Sequence, residues 1–78
     1  MAQILEAARQ RAGLTNQDLW IGYCSLGGAA DPATLDAYLA GTVVPDGVEY
    51  DLIAQTLNDS FIETGDNHPV PYAEDLST

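Results

Sequence analysis

Apolar residues recur at helical spacing in four stretches of the chain, and each stretch is bounded by residues that start or stop helices. With their flanking caps and breakers, the predicted helices cover residues 2–13, 15–28, 31–41 and 46–65. Glycine is the expected terminator of each helix because it tolerates the left-handed conformation that ends many helices. The pattern therefore predicts an all-α fold, a compact bundle of four short helices within residues 1–65.

Three of these helices carry a recognisable signal at the N-terminus. Thr15 is followed three residues later by Asp18, which is the spacing of a capping box. Asp31 stands directly before a proline, which suits the first position of a helix. Asp46 and Glu49 form a second predicted capping box, which opens the longest helix.

The second helix is the most apolar of the predicted helices, and it contains the only tryptophan and the only cysteine of the chain. One of its faces is formed by Leu19, Trp20, Tyr23 and Leu26, with Ile21 and Cys24 at the side. A helix that is apolar on more than one face must be covered on more than one side. We therefore expect it to lie at the centre of the molecule, against neighbouring helices or another chain.

The other predicted core positions lie on the third and fourth helices. On the third helix, the expected inward face is Leu35, Tyr38 and Leu39. On the fourth, the expected core stripe is Val48, Leu52, Ile53, Leu57 and Phe61. We expect Val43 and Val44, in the connector between these helices, to cap the edge of the core.

Residues 66–78 are predicted to form an extended acidic tail, because two prolines and a preceding glycine oppose a fifth helix. Val70, Pro71 and Tyr72 have two possible roles. They either fold back on the helical body or act as a short linear docking segment.

Charge narrows the possible partners. The chain has 78 residues, enough for one domain, and 12 acidic residues against two arginines give a formal net charge of −10. This balance opposes binding to nucleic acid and to anionic membranes, and it favours basic protein surfaces or metal cations. The chain shows no membrane span and no signal peptide, and one cysteine forms no internal disulfide, so we expect a cytoplasmic protein.

No catalytic constellation is visible in the sequence, and we expect neither enzymatic activity nor a cofactor. Cys24 has no neighbouring base or cation and is interpreted as a buried structural thiol rather than a reactive one. His68 lacks a second His or Cys at ligand spacing, so no metal site is predicted. Close acidic pairs such as Asp59 with Glu63 are interpreted as a solvated, acidic outer face of the fourth helix, which also includes Glu49, rather than as a general acid and base.

Residues 14–19 and 31–41 resemble the second helix and the recognition helix of the Cro/C1-type helix-turn-helix family, and residues 42–57 are similar to the segment that follows in that family. The resemblance covers residues 1–61 in outline and implies DNA binding and transcription regulation. The chain also resembles small acidic actinobacterial proteins with an aromatic, Gly-Gly second helix and an Ala-Tyr-Leu third helix, which implies no particular activity.

The sequence departs from the helix-turn-helix pattern at the surface that reads DNA. The turn at residues 27–30 is longer than the tight turn that sets a recognition helix in the major groove. The exposed positions of the third helix offer no Arg, Lys, Gln or Asn to a base edge, and Asp36 presents a carboxylate to phosphate. Direct nucleic-acid binding is therefore not expected.

The leading hypothesis is a small, non-enzymatic, protein-binding regulator or adaptor whose partner is basic. That partner is possibly a DNA-binding protein, in which case the chain acts as a nucleic-acid mimic. Trp20 and Tyr23 are interpreted either as core residues or as interface anchors. The candidate partner-binding residues are Trp20, Tyr23, Asp36, Glu49, Asp59, Glu63 and Tyr72. The alternative is a helix-turn-helix transcriptional regulator that acts as a dimer or with a basic subunit; a homodimer is possible under either hypothesis.

Overall fold

A computed structural model describes residues 2–65 and 70–72 of the chain. The helices are α1 (Ala2–Ala12), α2 (Asn16–Ser25), α3 (Pro32–Ala40) and α4 (Gly47–Glu63). The described residues contain no strand, so the predicted all-α bundle of four helices is confirmed. None of the described helices has both the length and the apolar character needed to cross a membrane.

Side-chain caps begin α2, α3 and α4. Thr15 Oγ1 accepts a hydrogen bond from the backbone N–H of Asp18 at 3.0 Å, and the Asp18 carboxylate accepts one from the Thr15 N–H at 3.3 Å. This confirms the predicted capping box of α2. Asp31 and Asp46 each cap one backbone N–H at 2.8 Å. At the other end of α3, Gly41 adopts the left-handed conformation, with a φ of 82°.

The second helix packs against two neighbouring helices, as expected, but α4 and not α2 contributes the largest number of buried core residues. Leu19 and Tyr23 are the buried residues of α2. The buried residues of α4 are Tyr50, Ile53, Ala54, Thr56, Leu57, Asn58 and Phe61. The longer α4 packs against both α1 and α2, and α3 packs against α1 and α2 from the other side. As a result, α2 keeps part of its surface open.

Three valines that were expected in the core are exposed. Val43 and Val44 do not cap the core edge, since 46% and 74% of their surfaces are accessible. Pro45 is buried instead. Val48 is 70% exposed because the buried stripe of α4 is centred on Tyr50 and the residues three, four and seven positions later. Two residues before Tyr50, a helical side chain points to the opposite side.

Residues 70–72 fold back on α4, which is one of the two alternatives left open by the sequence. The Asn58 side chain is fully buried and makes two hydrogen bonds with the backbone of Val70, at 2.9 and 3.0 Å. The Tyr50 hydroxyl donates to the Pro71 carbonyl at 2.9 Å. These bonds satisfy buried polar groups and hold the segment against the helix. The rest of the predicted tail lies outside the described residues.

Candidate partner-binding surfaces

Tyr23 lies on the inner side of α2 and is completely buried. Its hydroxyl donates a hydrogen bond to the Glu49 carboxylate and accepts one from the Ala30 N–H at 2.9 Å. Burial, together with the hydrogen bond to Glu49, raises the pKa of Tyr23 to about 12. The ring also packs directly on Gly28, where an added Cβ would lie 2.3 Å from the phenol Cζ. The core interpretation of this residue is therefore confirmed.

The partner of Tyr23 corrects the predicted role of Glu49. The Glu49 side chain was expected to complete a capping box with Asp46 and to lie on an acidic outer face. Both expectations are wrong, because the carboxylate binds the Tyr23 hydroxyl between α2 and the start of α4. Only the backbone N–H of Glu49 takes part in the Asp46 cap. This structural pair is therefore unsuitable as a direct partner contact in this conformation.

Trp20 lies three residues before Tyr23 but is only partly buried. Its indole N–H donates to the Ala30 carbonyl at 2.9 Å, so the two aromatic side chains bind opposite polar groups of the same residue. These two hydrogen bonds hold the connection between α2 and α3 in place. The bond from the indole N–H also fixes the plane of the Trp20 ring. Part of the ring stays accessible to a ligand.

A groove of about 310 Å³ runs between α2 and α4. This α2–α4 groove is lined by Leu14, Asp18, Gly22, Ser25, Leu26, Thr56, Asp59, Ser60 and Glu63. The helices approach closely at Gly22, where an added Cβ would lie 2.5 Å from Thr56 Cγ2. Leu26 is 40% exposed at this surface, so the expectation that it belongs to the buried face of α2 is wrong.

The α2–α4 groove has carboxylates on both of its sides. Asp18 belongs to α2, whereas Asp59 and Glu63 are exposed on α4. Asp59 accepts one hydrogen bond from the Gln55 side chain at 2.7 Å. No Lys or Arg lines the groove, so its negative charges are not neutralised from within. Asp59 and Glu63 were expected to contact a partner, whereas Asp18 was expected only as part of the α2 cap.

A second depression of about 280 Å³ lies between α2 and α3. We call it the Trp20 cleft; its lining residues are Asn16, Gln17, Trp20, Pro32 and Asp36. The Asn16 side-chain amide donates to Asp36 Oδ1 at 2.8 Å and connects the two helices. The structure therefore places two of the expected partner residues, Trp20 and Asp36, in one cleft.

Tyr72 is half-buried on the outer side of α4 rather than free for docking. Its hydroxyl donates to Gln55 Oε1 at 3.0 Å, and Gln55 in turn donates to Asp59. The folded-back segment is thus connected through one side chain to the border of the α2–α4 groove.

The two arginines of the chain lie on α1, outside the linings of both surfaces. Arg9 pairs with Glu6 at 2.7 Å and donates to the Leu14 carbonyl at 2.7 Å. Its hydrogen bond to Glu6 lowers the pKa of that carboxyl to about 2. Arg11 lies over the Phe61 ring, 5.3 Å from its centroid. The helix that resembles a recognition helix, α3, contains no basic residue.

Cys24 is only partly buried, not fully buried as expected, and it packs against the core. Its interpretation as a structural rather than a reactive thiol stays a prediction. Among residues 2–65 and 70–72, no group of three or more His, Cys, Asp and Glu side chains is arranged to hold a metal ion. His68 lies outside the described residues.

Comparison of the chain with protein-family models, with curated proteins and with solved structures gave no match. The helix-turn-helix resemblance therefore stays a prediction from the sequence.

Proposed function

We propose that this chain is a small, non-enzymatic regulator or adaptor that binds a basic protein partner. The observation that carries the proposal is the α2–α4 groove, where carboxylates from two helices border a surface that includes the exposed Leu26 and the partly buried Leu14. Long basic side chains suit such a surface because their alkyl stems pack on apolar groups while their charged ends meet carboxylates. The groove is the proposed main contact.

The charge of the whole chain supports the same partner class. A net charge of −10 on 78 residues attracts a basic surface from a distance and raises the rate of encounter. If the partner is a DNA-binding protein, the carboxylates act as substitutes for nucleic-acid phosphates. This mimicry is one form of the proposal.

Self-association is a further part of the proposal. Ile21 is 51% exposed on α2, and Leu26, which caps the C-terminal end of this helix, is 40% exposed. A second copy of the chain that covers these side chains would remove apolar surface from water. A homodimer therefore accommodates the surplus apolar surface of α2 without an additional partner.

Affinity capture from the native host, with washes of rising salt, tests the proposed partner class. We expect a stoichiometric basic protein that is retained at low salt and released at high salt. Asp59→Asn combined with Glu63→Gln should lose this protein because both changes remove negative charge from the groove. An unchanged yield with the double variant would contradict the assignment of the groove.

Asp51→Asn is the control for a single charge change, because Asp51 is on α4 but does not line the groove. It should retain more partner than either Asp59→Asn or Glu63→Gln alone. Equal losses in all three variants would indicate a response to total charge rather than to the groove. Recovery of specific DNA in place of a protein would favour the helix-turn-helix alternative.

A further inference from the structure

We propose that the Trp20 cleft binds one arginine side chain of a basic partner. This inference rests on the proposed function for the origin of the arginine, but it concerns a different surface and has its own test. The features that support it are an aromatic ring held in place, a carboxylate beside it and a volume that suits a single side chain.

The ring is the first of these features. The hydrogen bond from Trp20 Nε1 to the Ala30 carbonyl holds the indole in one plane, while part of the ring stays exposed in the cleft. A planar guanidinium stacks on an indole face, and the negative charge density of that face attracts the cation. The hydrogen bond already fixes the ring, so little side-chain freedom is lost when the arginine binds.

The polar groups of the cleft favour a ligand that is both a cation and a hydrogen-bond donor. Asp36 Oδ1 accepts from Asn16, and no described residue donates to Asp36 Oδ2. Asn16 and Gln17 each carry an amide oxygen that can accept a further hydrogen bond. The lining contains no Lys or Arg that would repel a cation.

Size and shape distinguish arginine from other cationic ligands. A volume of about 280 Å³ is slightly below the range of roughly 300–1,000 Å³ that is typical of pockets for drug-sized ligands, and it suits one long side chain. Arginine offers several donors in one plane and also stacks, whereas the ammonium of lysine is a strongly hydrated point charge. We therefore expect the cleft to prefer arginine to lysine.

The emission of Trp20 reports on the cleft directly, because it is the only tryptophan in the chain. The probes are three capped tripeptides of sequence Gly-X-Gly, in which X is arginine, lysine or the neutral arginine isostere citrulline. Each is titrated into the full chain at constant ionic strength, with free N-acetyl-tryptophanamide as the control for collisional quenching. The expected result is a saturable change with the arginine peptide, a weaker affinity for lysine and no saturation with citrulline.

Asp36→Asn tests the part played by the carboxylate. It keeps the side-chain shape and a group that can accept from Asn16, but it removes the charge. We expect the affinity for the arginine peptide to fall about threefold to fivefold, as for a partly exposed ion pair. Asp51→Asn, which changes the net charge equally outside the cleft, should leave the affinity unchanged.

Three results would each overturn the proposal: no saturable response to the arginine peptide, equal responses to arginine and citrulline, or equal losses in Asp36→Asn and Asp51→Asn. Failure here is distinguishable from failure of the proposed function. If the Trp20 cleft has no role, the Asp59 and Glu63 variants would still lose the captured partner. If the groove has no role, the arginine peptide would still bind at the cleft.

Discussion

Trp20 and Tyr23 are separated by less than one turn of α2 but have different environments. Tyr23 is fully buried, with its hydroxyl bound to Glu49 and to the Ala30 N–H. Trp20 is partly buried, uses its only polar atom on the Ala30 carbonyl and leaves ring surface in a cleft. Residues of the same chemical class on one helix thus divide into a structural residue and a candidate binding residue.

This difference shows why the apolar character of α2 does not by itself identify an interface. The inner side of the helix is closed by Glu49 and Gly28, whereas the outer side borders a groove and a cleft. Substitutions of residues packed between helices, such as Tyr23, should therefore change stability, and substitutions of exposed charged residues that border the groove and the cleft should change binding. The following predictions test this division.

Tyr23→Phe should have the largest effect on stability. It removes the donor to Glu49 and leaves the Ala30 N–H without its acceptor, which should lower the free energy of unfolding by about 2–3 kcal/mol. Trp20→Phe, which loses one hydrogen bond at a partly buried site, should cost about 1 kcal/mol. Urea denaturation followed by circular dichroism measures both values. Equal costs for the two variants would contradict the comparison.

A double-mutant cycle tests whether Tyr23 and Glu49 act as a pair. Glu49→Ala combined with Tyr23→Phe should cost less than the sum of the two single changes, because each single change already removes the shared hydrogen bond. Additive costs would show that the contact contributes no coupling energy.

Alkaline titration tests the same contact in the unmodified chain. The pKa of Tyr23 is about 12 in the folded state, above its usual value of 10, so the native chain holds this proton more tightly than the unfolded chain. The contribution of this pKa shift to the free energy of unfolding is fully present below pH 10, and it is lost as the pH rises through about 12. Tyrosinate absorbance of the native chain minus that of Tyr23→Phe should isolate this late titration. A difference curve centred near pH 10 would contradict the buried environment.

Gly22→Ala should have an intermediate effect at the floor of the α2–α4 groove. The new Cβ would lie 2.5 Å from Thr56 Cγ2, so either the Thr56 side chain must rotate away from its hydrogen bond with the Leu52 carbonyl or the helices must separate. We expect a loss of about 1–2 kcal/mol from overpacking, after allowance for the higher helix propensity of alanine. Thermal unfolding measures the change.

Thr56→Ser provides the matched background for Gly22→Ala. It removes the Cγ2 methyl group and keeps the hydroxyl that donates to the Leu52 carbonyl. Gly22→Ala should be neutral or stabilising in this background. If it remains equally destabilising, the close approach of the two helices is not the cause.

Asp59→Asn and Glu63→Gln should have the smallest effects on stability, within about 0.5 kcal/mol each, because both side chains are exposed. Their expected effect is on partner binding. Thermal unfolding of the single variants checks this separation. A loss of unfolding free energy as large as that of Tyr23→Phe would show that these two acids stabilise the fold.

The helix boundaries and most caps could be predicted because their signals are local. Thr15 with Asp18, Asp31 before a proline, and Gly41 all lie within a few residues of the backbone groups that they bind or terminate. The buried face of α3 was also predictable from helical spacing alone.

The candidate sites depend on contacts that are distant in the sequence and were predicted only in part. Glu49 lies 26 residues from Tyr23, and nothing local distinguishes its inward contact from the exposed position of Asp59. The burial of Asn58 was missed because its partners, the backbone groups of Val70, lie 12 residues away. Spacing on one helix does not determine which neighbouring helix or loop covers a side chain.

We propose that the α2–α4 groove and the Trp20 cleft bind a basic segment, while Tyr23 and Glu49 serve the fold. A two-dimensional ¹H–¹⁵N NMR titration of the chain with an arginine-rich peptide, at an ionic strength that screens weak contacts, tests this division. We expect chemical-shift changes at the residues that line the groove and the cleft, with little change at Tyr23 and Glu49. Changes of similar size at all acidic residues, including the capping residues Asp31 and Asp46, would indicate charge attraction without a site and would contradict the proposed division.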